Sequence, residues 1–266
     1  MYGAGMRIGD ISIEPVYDGT AVLATDMFVN SDWTEHQHLL DDQGDLTIPV
    51  GAFLVRNGDH LGLLDAGVGD FQNDMFNGGQ LLESLRAMGV TPAQIDTVIV
   101  SHLHADHMGW LSTDGSVTFP KATVHIGAAD WEYYVEQGNA GRRNVAILRA
   151  AEEHVELVHH DGVTLLPGMT TRLTPGHTPG HMSTVISSGN ERLIVLGDAL
   201  HCPAQLTELE WEFVYDVDPA LARQTRAALV EEASVANTTL LPCHFPGMQA
   251  ARLLPVNDAA PQWVIS

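Results

Sequence analysis

The stretch Ser-His-Leu-His-Ala-Asp-His at residues 101–107 directly follows the apolar run Thr-Val-Ile-Val at residues 97–100. It brings three imidazoles and one carboxylate close together in the chain. Residues two apart on a helix point to nearly opposite sides, whereas in an extended segment they share a side. Such ligands, without a thiol, suit zinc, manganese or iron(II). The stretch therefore predicts a metal site at the end of a strand.

Other segments repeat this arrangement of a polar residue at or just beyond an apolar run. Residues 174–181, with the sequence TPGHTPGH, form a turn-rich stretch between apolar runs. Residues 193–198 (LIVLGD) and 239–244 (TLLPCH) have the pattern of buried strands that end on a polar side chain. In layered α/β proteins, such strand ends are where loops converge and sites are built. We therefore expect these segments to complete the metal site.

Taken in order, these motifs resemble the metallo-β-lactamase fold superfamily, whose pattern is His-x-His-x-Asp-His, then Gly-His, Gly-Asp and a late His. The matching residues are His102, His104, Asp106, His107, His181, Asp198 and His244. The resemblance spans most of the chain and implies a single domain over residues 1–266. The implied fold is α/β (α+β), a four-layer αββα sandwich of two mixed sheets with helices outside.

By this resemblance, His102, His104 and His181 hold one metal ion. Asp106, His107 and His244 hold a second, and Asp198 bridges the two. The pattern favours His181 over its neighbour His177. The implied cofactors are two divalent ions, with zinc first and manganese, cobalt or iron as substitutes. A metal can lower the pKa of bound water from about 15.7 towards about 7, so a bridging hydroxide is the expected nucleophile.

Three further roles are predicted near these ligands. Asp106 and Asp198 act as catalytic carboxylates, and Asp198 passes a proton to the leaving alkoxide. His201 lies three residues beyond Asp198 and is expected to face the substrate or to donate to a developing oxyanion. The resemblance places Asp65, at the end of an apolar run, beneath the metal loop as a hydrogen-bond acceptor that orients a ligand. A turn aspartate facing water is the alternative for Asp65.

Charge and composition limit the classes of substrate and partner that we expect this chain to bind. The chain has 266 residues with 12 Lys and Arg against 34 Asp and Glu, a formal net charge of −22. Nucleic-acid binding depends on Lys and Arg that neutralise phosphates, so a nuclease is not expected. A small neutral ester, lactone or phosphotriester suits this field better than an anionic substrate. With no apolar run of roughly 18 residues and no signal-like start, we expect no membrane association and a cytoplasmic location.

The strings at residues 197–206, 215–219 and 242–247 resemble the lactonase and methyl parathion hydrolase branch of the superfamily. They predict a dinuclear hydrolase of lactones or neutral aryl esters, with phosphotriesterase activity as a further option. The alternatives are a mononuclear iron sulfur dioxygenase, a β-lactamase and a metal-binding protein without activity. The commonest class B β-lactamases have a cysteine where this chain has Asp198, which disfavours that alternative.

A substrate pocket needs apolar walls beside the metals. The candidate walls are Trp110, Phe245, Met27, Phe28, Trp33 and Met248. Each is equally compatible with the core, and the apolar segment 27–33 is also compatible with a homodimer contact. Cys202 and Cys243 are expected to be buried free thiols.

Apolar periodicity predicts the regular elements. Helices are expected at residues 79–88, 128–137, 142–154 and 219–236, the last with Asp218 as its cap and Pro219 at its first position. Strands are expected at residues 11–16, 48–55, 60–64, 97–100, 121–126, 170–173, 184–187 and 192–196.

Overall fold

The computed structural model describes residues 5–235, 238–256 and 259–265. In this part of the chain the strands are β1 (Met6–Ile8), β2 (Ile11–Ala24), β3 (Phe28–Val29), β4 (Asp45–Asn57), β5 (His60–Leu64), β6 (Phe76–Asn77), β7 (Thr97–Val100), β8 (Ser112–Thr113), β9 (Ser116–Val117), β10 (Thr123–Gly127), β11 (Val155–Val158), β12 (Thr164–Leu166), β13 (Met169–Leu173), β14 (Met182–Ser188), β15 (Glu191–Val195), β16 (Glu212–Phe213), β17 (Thr238–Leu241), β18 (Ala251–Val256) and β19 (Ala259–Ile265).

The α-helices are α1 (Leu81–Ala87), α2 (Ala105–Met108), α3 (Ala128–Asp130), α4 (Arg142–Ala151) and α5 (Pro219–Val235), and α3 continues as a π-helical turn over Trp131–Glu136. Short 3₁₀ segments lie at Thr25–Met27, Thr34–Leu39, Pro92–Gln94, Glu152–His154, Gly197–Ala199, Pro203–Leu206 and Pro246–Met248.

The long strands form two mixed sheets. The first has the order β1-β2-β4-β5-β7-β10-β11, with β6 also paired to β2, and the second has the order β12-β13-β14-β15-β17-β18-β19. The pairs β5–β7, β7–β10 and β10–β11 are parallel in the first sheet, as is β15–β17 in the second. Because parallel neighbours end at the same edge, the loops after β7 and those after β15 and β17 can meet in one site.

Alternating side chains of β7 show how the layers pack. Val98 and Val100 lie in the hydrophobic cluster beneath helices α1 and α4, whereas Ile99 between them lies in the cluster between the two sheets. Successive residues of a strand point to opposite faces, so a fully buried strand needs cover on both. On the far side, Leu229 of α5 packs with Ile194 and Leu240 of the second sheet. The predicted αββα sandwich is confirmed.

The predicted helices all occur, although Ala236, the last residue of the fourth, lies outside the described residues. Strand β2 is longer than the predicted 11–16, because it continues past Asp18 and Gly19 to Ala24. A shift of register between Tyr17 and Gly19 lets the strand run on against β4. No helix among the described residues is long and apolar enough to cross a membrane. The single domain over residues 1–266 stays a prediction.

The bend in β2 places Asp18 in the core as an acceptor for several N–H groups. Its carboxylate accepts hydrogen bonds from the backbone of Val68 at 2.7 Å and of Leu81 at 2.8 Å, and from the indole of Trp110 at 2.8 Å. Weaker bonds come from Gly69 and Gly79 at 3.2 and 3.3 Å. Burial raises the pKa of Asp18, although these donors oppose the shift. The Asp18 side chain therefore connects β2 with the turn at residues 68–69, with the start of α1 and with Trp110.

We expect Asp18→Ala to lower the free energy of unfolding by about 3 kcal/mol or more, because each buried donor left unpaired costs about 1–3 kcal/mol. Urea denaturation followed by far-UV circular dichroism measures this loss. Asp10→Ala, at an exposed position near the start of the same strand, is the matched control. A loss below about 1 kcal/mol would show that solvent replaces these bonds.

Candidate metal centre

The loop after β7 places its polar residues as the spacing predicts. His104 has an extended conformation, with φ −79° and ψ 159°, and α2 begins at the next residue. The alternating histidines before the helix therefore share a side, while Asp106 and His107 lie on its first turn. His102 and His107 are buried, and His104 and Asp106 are half-buried.

A first cluster is formed by His102, His104, His177 and Asp198, whose ligand atoms all lie within 4.8 Å of one another. His177 Nε2 lies 2.9 Å from His104 Nδ1 and 3.5 Å from Asp198 Oδ2. His102 Nε2 is 3.8 Å from the same oxygen and has no hydrogen-bond partner among the described residues. Imidazole nitrogens that converge in this way suit a cation.

A second cluster contains His107, Asp198, Cys243 and His244. Asp198 Oδ1 lies 3.2 Å from His107 Nε2 and 3.0 Å from His244 Nε2. Asp106 Oδ2 is 3.6 Å from each of the same two nitrogens. The two oxygens of Asp198 thus face different clusters, Oδ2 the first and Oδ1 the second. Cys243 Sγ lies 3.4 Å from Asp198 Oδ1, and both cysteines are buried and free, as expected.

The electrostatics differ between the clusters. Burial lowers the pKa of His104 and of His177 to about 3, so both imidazoles are neutral at neutral pH and keep a lone pair for a metal. Burial also opposes charge on His107, but the carboxylates of Asp198 and Asp106 outweigh it and raise the pKa of His107 well above its usual value. For Asp198, burial is outweighed by His107 and His244, which hold its pKa well below the usual range.

The structure brings His177, rather than the predicted ligand His181, together with His102 and His104. His181 Nδ1 lies 2.8 Å from Thr174 Oγ1, and its Nε2 accepts the backbone N–H of Asp198 at 3.0 Å. Both ring nitrogens are therefore engaged within the protein. The turn of residues 174–181 is closed by a bond from Thr174 N to His181 O, which leaves His177 at its tip, facing the cluster. The sequence repeats TPGH twice, so its local pattern does not separate the two histidines.

Each clustered histidine has a partner on its other ring nitrogen. Nδ1 of His107 lies 2.8 Å from Asp65, which also accepts the backbone N–H of Ser101 at 2.7 Å, so Asp65 lies beneath the metal loop rather than in solvent. Three further partners were not predicted from the sequence. Tyr134 Oη lies 2.9 Å from His104 Nε2, Asp216 Oδ1 lies 2.8 Å from His177 Nδ1, and Pro49 O lies 2.9 Å from His244 Nδ1. Such partners fix the tautomer and orientation of a metal ligand.

Asp130 connects the loop after β7 with the turn of residues 174–181. Its carboxylate accepts the backbone N–H of Leu103 at 3.1 Å from one loop, and the Thr178 hydroxyl at 2.9 Å and the Gly180 N–H at 2.6 Å from the other. Burial raises the pKa of Asp130 to about 6, against these hydrogen bonds. The relative position of His104 and His177 therefore depends on this side chain.

His201 lies at the edge of the first cluster. Its ring stacks on Phe213 with centroids 4.0 Å apart, and its Nε2 is 3.5 Å from Asp198 Oδ2. The side chain is 1% exposed, and neither ring nitrogen has a hydrogen-bond partner among the described residues. Burial lowers the pKa of His201 to about 3, so the ring is neutral and has one N–H to donate.

Both clusters open into one cavity of about 240 Å³. Its polar lining residues are His104, Asp106, Asn144, Asp198, His201 and His244, and its larger apolar or aromatic ones are Leu23, Ile48, Met75, Phe76, Phe213 and Tyr215. A larger depression of about 410 Å³, lined by residues such as Trp131 and Pro179, contains none of the clustered histidines. The two clusters therefore face the smaller, more apolar cavity.

None of the six predicted pocket residues is among the residues that line this cavity. Trp110 points to Asp18, Phe245 is buried against the α5 layer, and Met248 lies between the sheets. Met27, Phe28 and Trp33 pack in one cluster with Trp211 behind the wall residue Phe213. Proximity to a ligand in sequence does not decide which face of the loop a side chain takes.

The chain was compared with known proteins. Residues 48–244 match the family model of the metallo-beta-lactamase superfamily. The N-acyl homoserine lactonase AttM of Agrobacterium fabrum is 29% identical over 127 residues, which are 43% of this chain and 44% of that protein. The chain thus covers less than half of this relative's length.

Two solved structures share the whole fold. The hydrolase AbOPH of the beta lactamase superfamily superposes with a TM-score of 0.84 at 25% identity, covering 99% of this chain and 97% of that one. AidC, a dizinc quorum-quenching lactonase in complex with a product, superposes with a TM-score of 0.82 at 23% identity, with 98% and 96% coverage. The latter likeness concerns the fold alone. The predicted superfamily is confirmed, and the named lactonases agree with the predicted branch.

Proposed function

The chain belongs to the metallo-beta-lactamase superfamily, and from this premise we propose that it is a dinuclear metal-dependent hydrolase that opens lactones or neutral aryl esters. One observation carries the proposal. Two clusters of metal-binding side chains share Asp198, and residues of both line the same apolar cavity. Two adjacent cations with an open side towards a substrate are the arrangement that hydrolysis by this route needs.

The donor set fits two divalent ions. His102, His104 and His177 would hold the first, and Asp106, His107 and His244 the second, with Asp198 shared. His104 would bind through Nδ1, because its Nε2 is paired with Tyr134. Imidazole and carboxylate donors favour zinc and tolerate manganese, cobalt or iron. When bound, such a pair supplies Lewis acidity at the scissile carbonyl and an activated water.

Two carboxylates are available to accept the proton of the attacking water. Asp106 and Asp198 both line the cavity, where either can accept the proton that the attacking water loses. The low pKa of Asp198 keeps it ionised at neutral pH. Asp198 lies between the clusters, and when it has accepted this proton it can return it to the leaving alkoxide. The side chains thus connect attack and departure without a serine or cysteine nucleophile.

The substrate is a small neutral acyl compound. The cavity of about 240 Å³ has mostly apolar walls, and the net charge of −22 disfavours anions. The relatives named as N-acyl homoserine lactonases support a lactone with an amide-linked acyl chain as the first substrate to test. Aryl-ester and phosphotriester hydrolysis are proposed as accompanying activities at the same centre.

A substrate panel tests this proposal. It contains an N-acyl homoserine lactone, a phenyl ester, a phosphotriester and a cephalosporin, each with and without prior chelation of the protein. We expect chelator-sensitive turnover of the lactone or the ester. Turnover of the cephalosporin alone would replace the proposal by β-lactamase activity, and turnover that survives complete metal removal would contradict a metal hydrolase.

His201 is proposed to donate a hydrogen bond to the oxyanion that forms at the carbonyl. Loss of a donor of this kind costs about 10²–10³-fold in kcat. We therefore expect His201→Phe, which keeps the stacking on Phe213, to lower kcat by about 10²-fold while bound metal and KM stay near wild type. Steady-state kinetics and metal analysis of one preparation measure both. An unchanged kcat, or a loss of metal, would assign His201 a different role.

A further inference from the structure

The segment of residues 212–218, here called the wall, contributes Phe213 and Tyr215 to the cavity lining. It also contains a buried carboxylate that the proposed mechanism does not use. Asp216 has a side chain that is 1% exposed. Its Oδ1 accepts the Nδ1–H of His177 at 2.8 Å, and its Oδ2 accepts the backbone N–H of Phe213 at 3.0 Å. One carboxylate therefore bonds both a clustered histidine and a residue of the cavity wall.

Two backbone bonds join the same partners. The N–H of Val217 donates to the carbonyl of His177 at 3.0 Å, and the N–H of Asp218 donates to the carbonyl of Gly176 at 2.9 Å. The wall thus meets the tip of the ligand loop through one side chain and two main-chain contacts. These three bonds connect His177 and Gly176 with residues 216–218.

Three apolar or aromatic side chains of the wall are exposed to solvent. Val214, Tyr215 and Val217 are 48%, 51% and 40% exposed, although all three are apolar or aromatic. Strand β16 is short and contributes the pairs Glu212↔Val29 and Phe213↔Phe28, and the N–H of Val214 donates to the carbonyl of Met27 at 3.0 Å. A segment with few buried contacts opens more readily than the core, so its order depends on the bonds that anchor it.

We propose that Asp216 is a positioning residue that couples the metal ligand His177 to the cavity wall, so that metal binding orders the wall. This inference rests on the proposed role of His177 as a ligand. With Nδ1–H directed at Asp216, the lone pair of His177 Nε2 faces the first cluster. A cation held by His177 would polarise the ring and strengthen the Nδ1–H bond to Asp216. Coupling is reciprocal, so an ordered wall raises metal affinity by the same factor.

The geometry explains why a carboxylate is required. Asp216 receives two N–H donors, one on each oxygen, and an amide offers only one oxygen. Asp216→Asn, which keeps the size of the side chain, would direct an NH₂ group at either His177 or Phe213. Partners of this kind typically change metal affinity by about 10–100-fold.

Two measurements test the coupling, and neither depends on a substrate. The first is hydrogen exchange of the wild-type protein, stripped of metal with a chelator and then reloaded with zinc. We expect zinc to slow exchange of the amides of Phe213, Val217 and Asp218 by about tenfold or more. The second is zinc affinity by competition with a chromophoric chelator, where Asp216→Asn should bind about 10–100-fold more weakly and lose the zinc-dependent slowing at Phe213.

Two control variants separate coupling from simple damage to the wall. Tyr215→Ala removes a wall side chain but leaves Asp216 in place, so it should raise KM and leave zinc affinity unchanged. Asp26→Asn removes a charge at an exposed position and should change neither quantity.

The proposal is overturned if zinc leaves exchange at the three amides unaltered in the wild-type protein, or if Asp216→Asn binds zinc within twofold of wild type. Should Asp216→Asn fail to fold, the wild-type exchange experiment decides alone. Zinc-dependent ordering of the wall in a protein that hydrolyses none of the panel would support the coupling and contradict the proposed function, so the two failures are distinguishable.

Discussion

Asp198→Ala is expected to lower lactone turnover by about 10³-fold or more and to reduce bound metal to one ion per chain or fewer. Asp198 is the only residue shared by both clusters, with Oδ2 at 3.5 Å from His177 Nε2 and Oδ1 at 3.0 Å from His244 Nε2. In the proposed centre its removal would take a ligand from each ion and the anion between two positive charges. It also removes the group proposed to carry the proton to the leaving alkoxide.

Metal analysis and kinetics of the same preparation measure this effect. Asp198→Asn keeps the shape of the side chain and should lose turnover nearly as far, because an amide cannot carry the proton at neutral pH. Asp42→Ala, at an exposed position, is the control for loss of a carboxylate. An Asp198→Ala protein that retains two ions and a tenth of wild-type activity would exclude a bridging role.

The second large effect separates two histidines that are four residues apart in the chain. We expect His177→Ala to weaken binding of one metal ion by at least about 10²-fold, since even loss of a partner that only orients a ligand costs about 10–100-fold. Turnover should fall accordingly. His181→Ala should retain both ions, because both nitrogens of His181 are bonded to Thr174 and to the backbone of Asp198.

His181→Ala serves as the internal control, since it removes the same type of buried ring from the same loop. It should cost about 1–3 kcal/mol of stability through unpaired donors and acceptors, so both variants are compared well below their unfolding temperatures. If His181→Ala loses the metal and His177→Ala keeps it, the ligand assignment from the sequence pattern is correct and the one from the geometry is wrong.

The sequence predicts the metal centre in outline for a physical reason. A run of buried β-branched residues such as 97–100 has to be a covered strand, and the polar residues that follow it have to lie at a sheet edge. The same reasoning applies to Asp198 and His244 after β15 and β17. Local sequence therefore locates ligands that follow strands directly.

Local sequence does not locate residues whose position depends on the path of a loop. His177 and His181 occur in identical TPGH repeats, and only the closure of the turn by Thr174 and His181 distinguishes them. The cavity walls Met75, Phe76 and Tyr215 come from segments distant in the chain. Asp216 lies within the string at residues 215–219 that indicates the lactonase branch, yet its bond to His177 spans 39 residues of sequence. No periodicity encodes such contacts.

We propose that this chain binds two metal ions and uses them for hydrolysis. Plasma mass spectrometry of protein purified without added metal, paired with hydrolysis of an N-acyl homoserine lactone by the same sample, tests it most directly. We predict two zinc, manganese or cobalt ions per chain, with lactone turnover that a chelator abolishes and zinc restores. A single iron per chain with no hydrolysis would contradict the account and favour oxygen chemistry on sulfur.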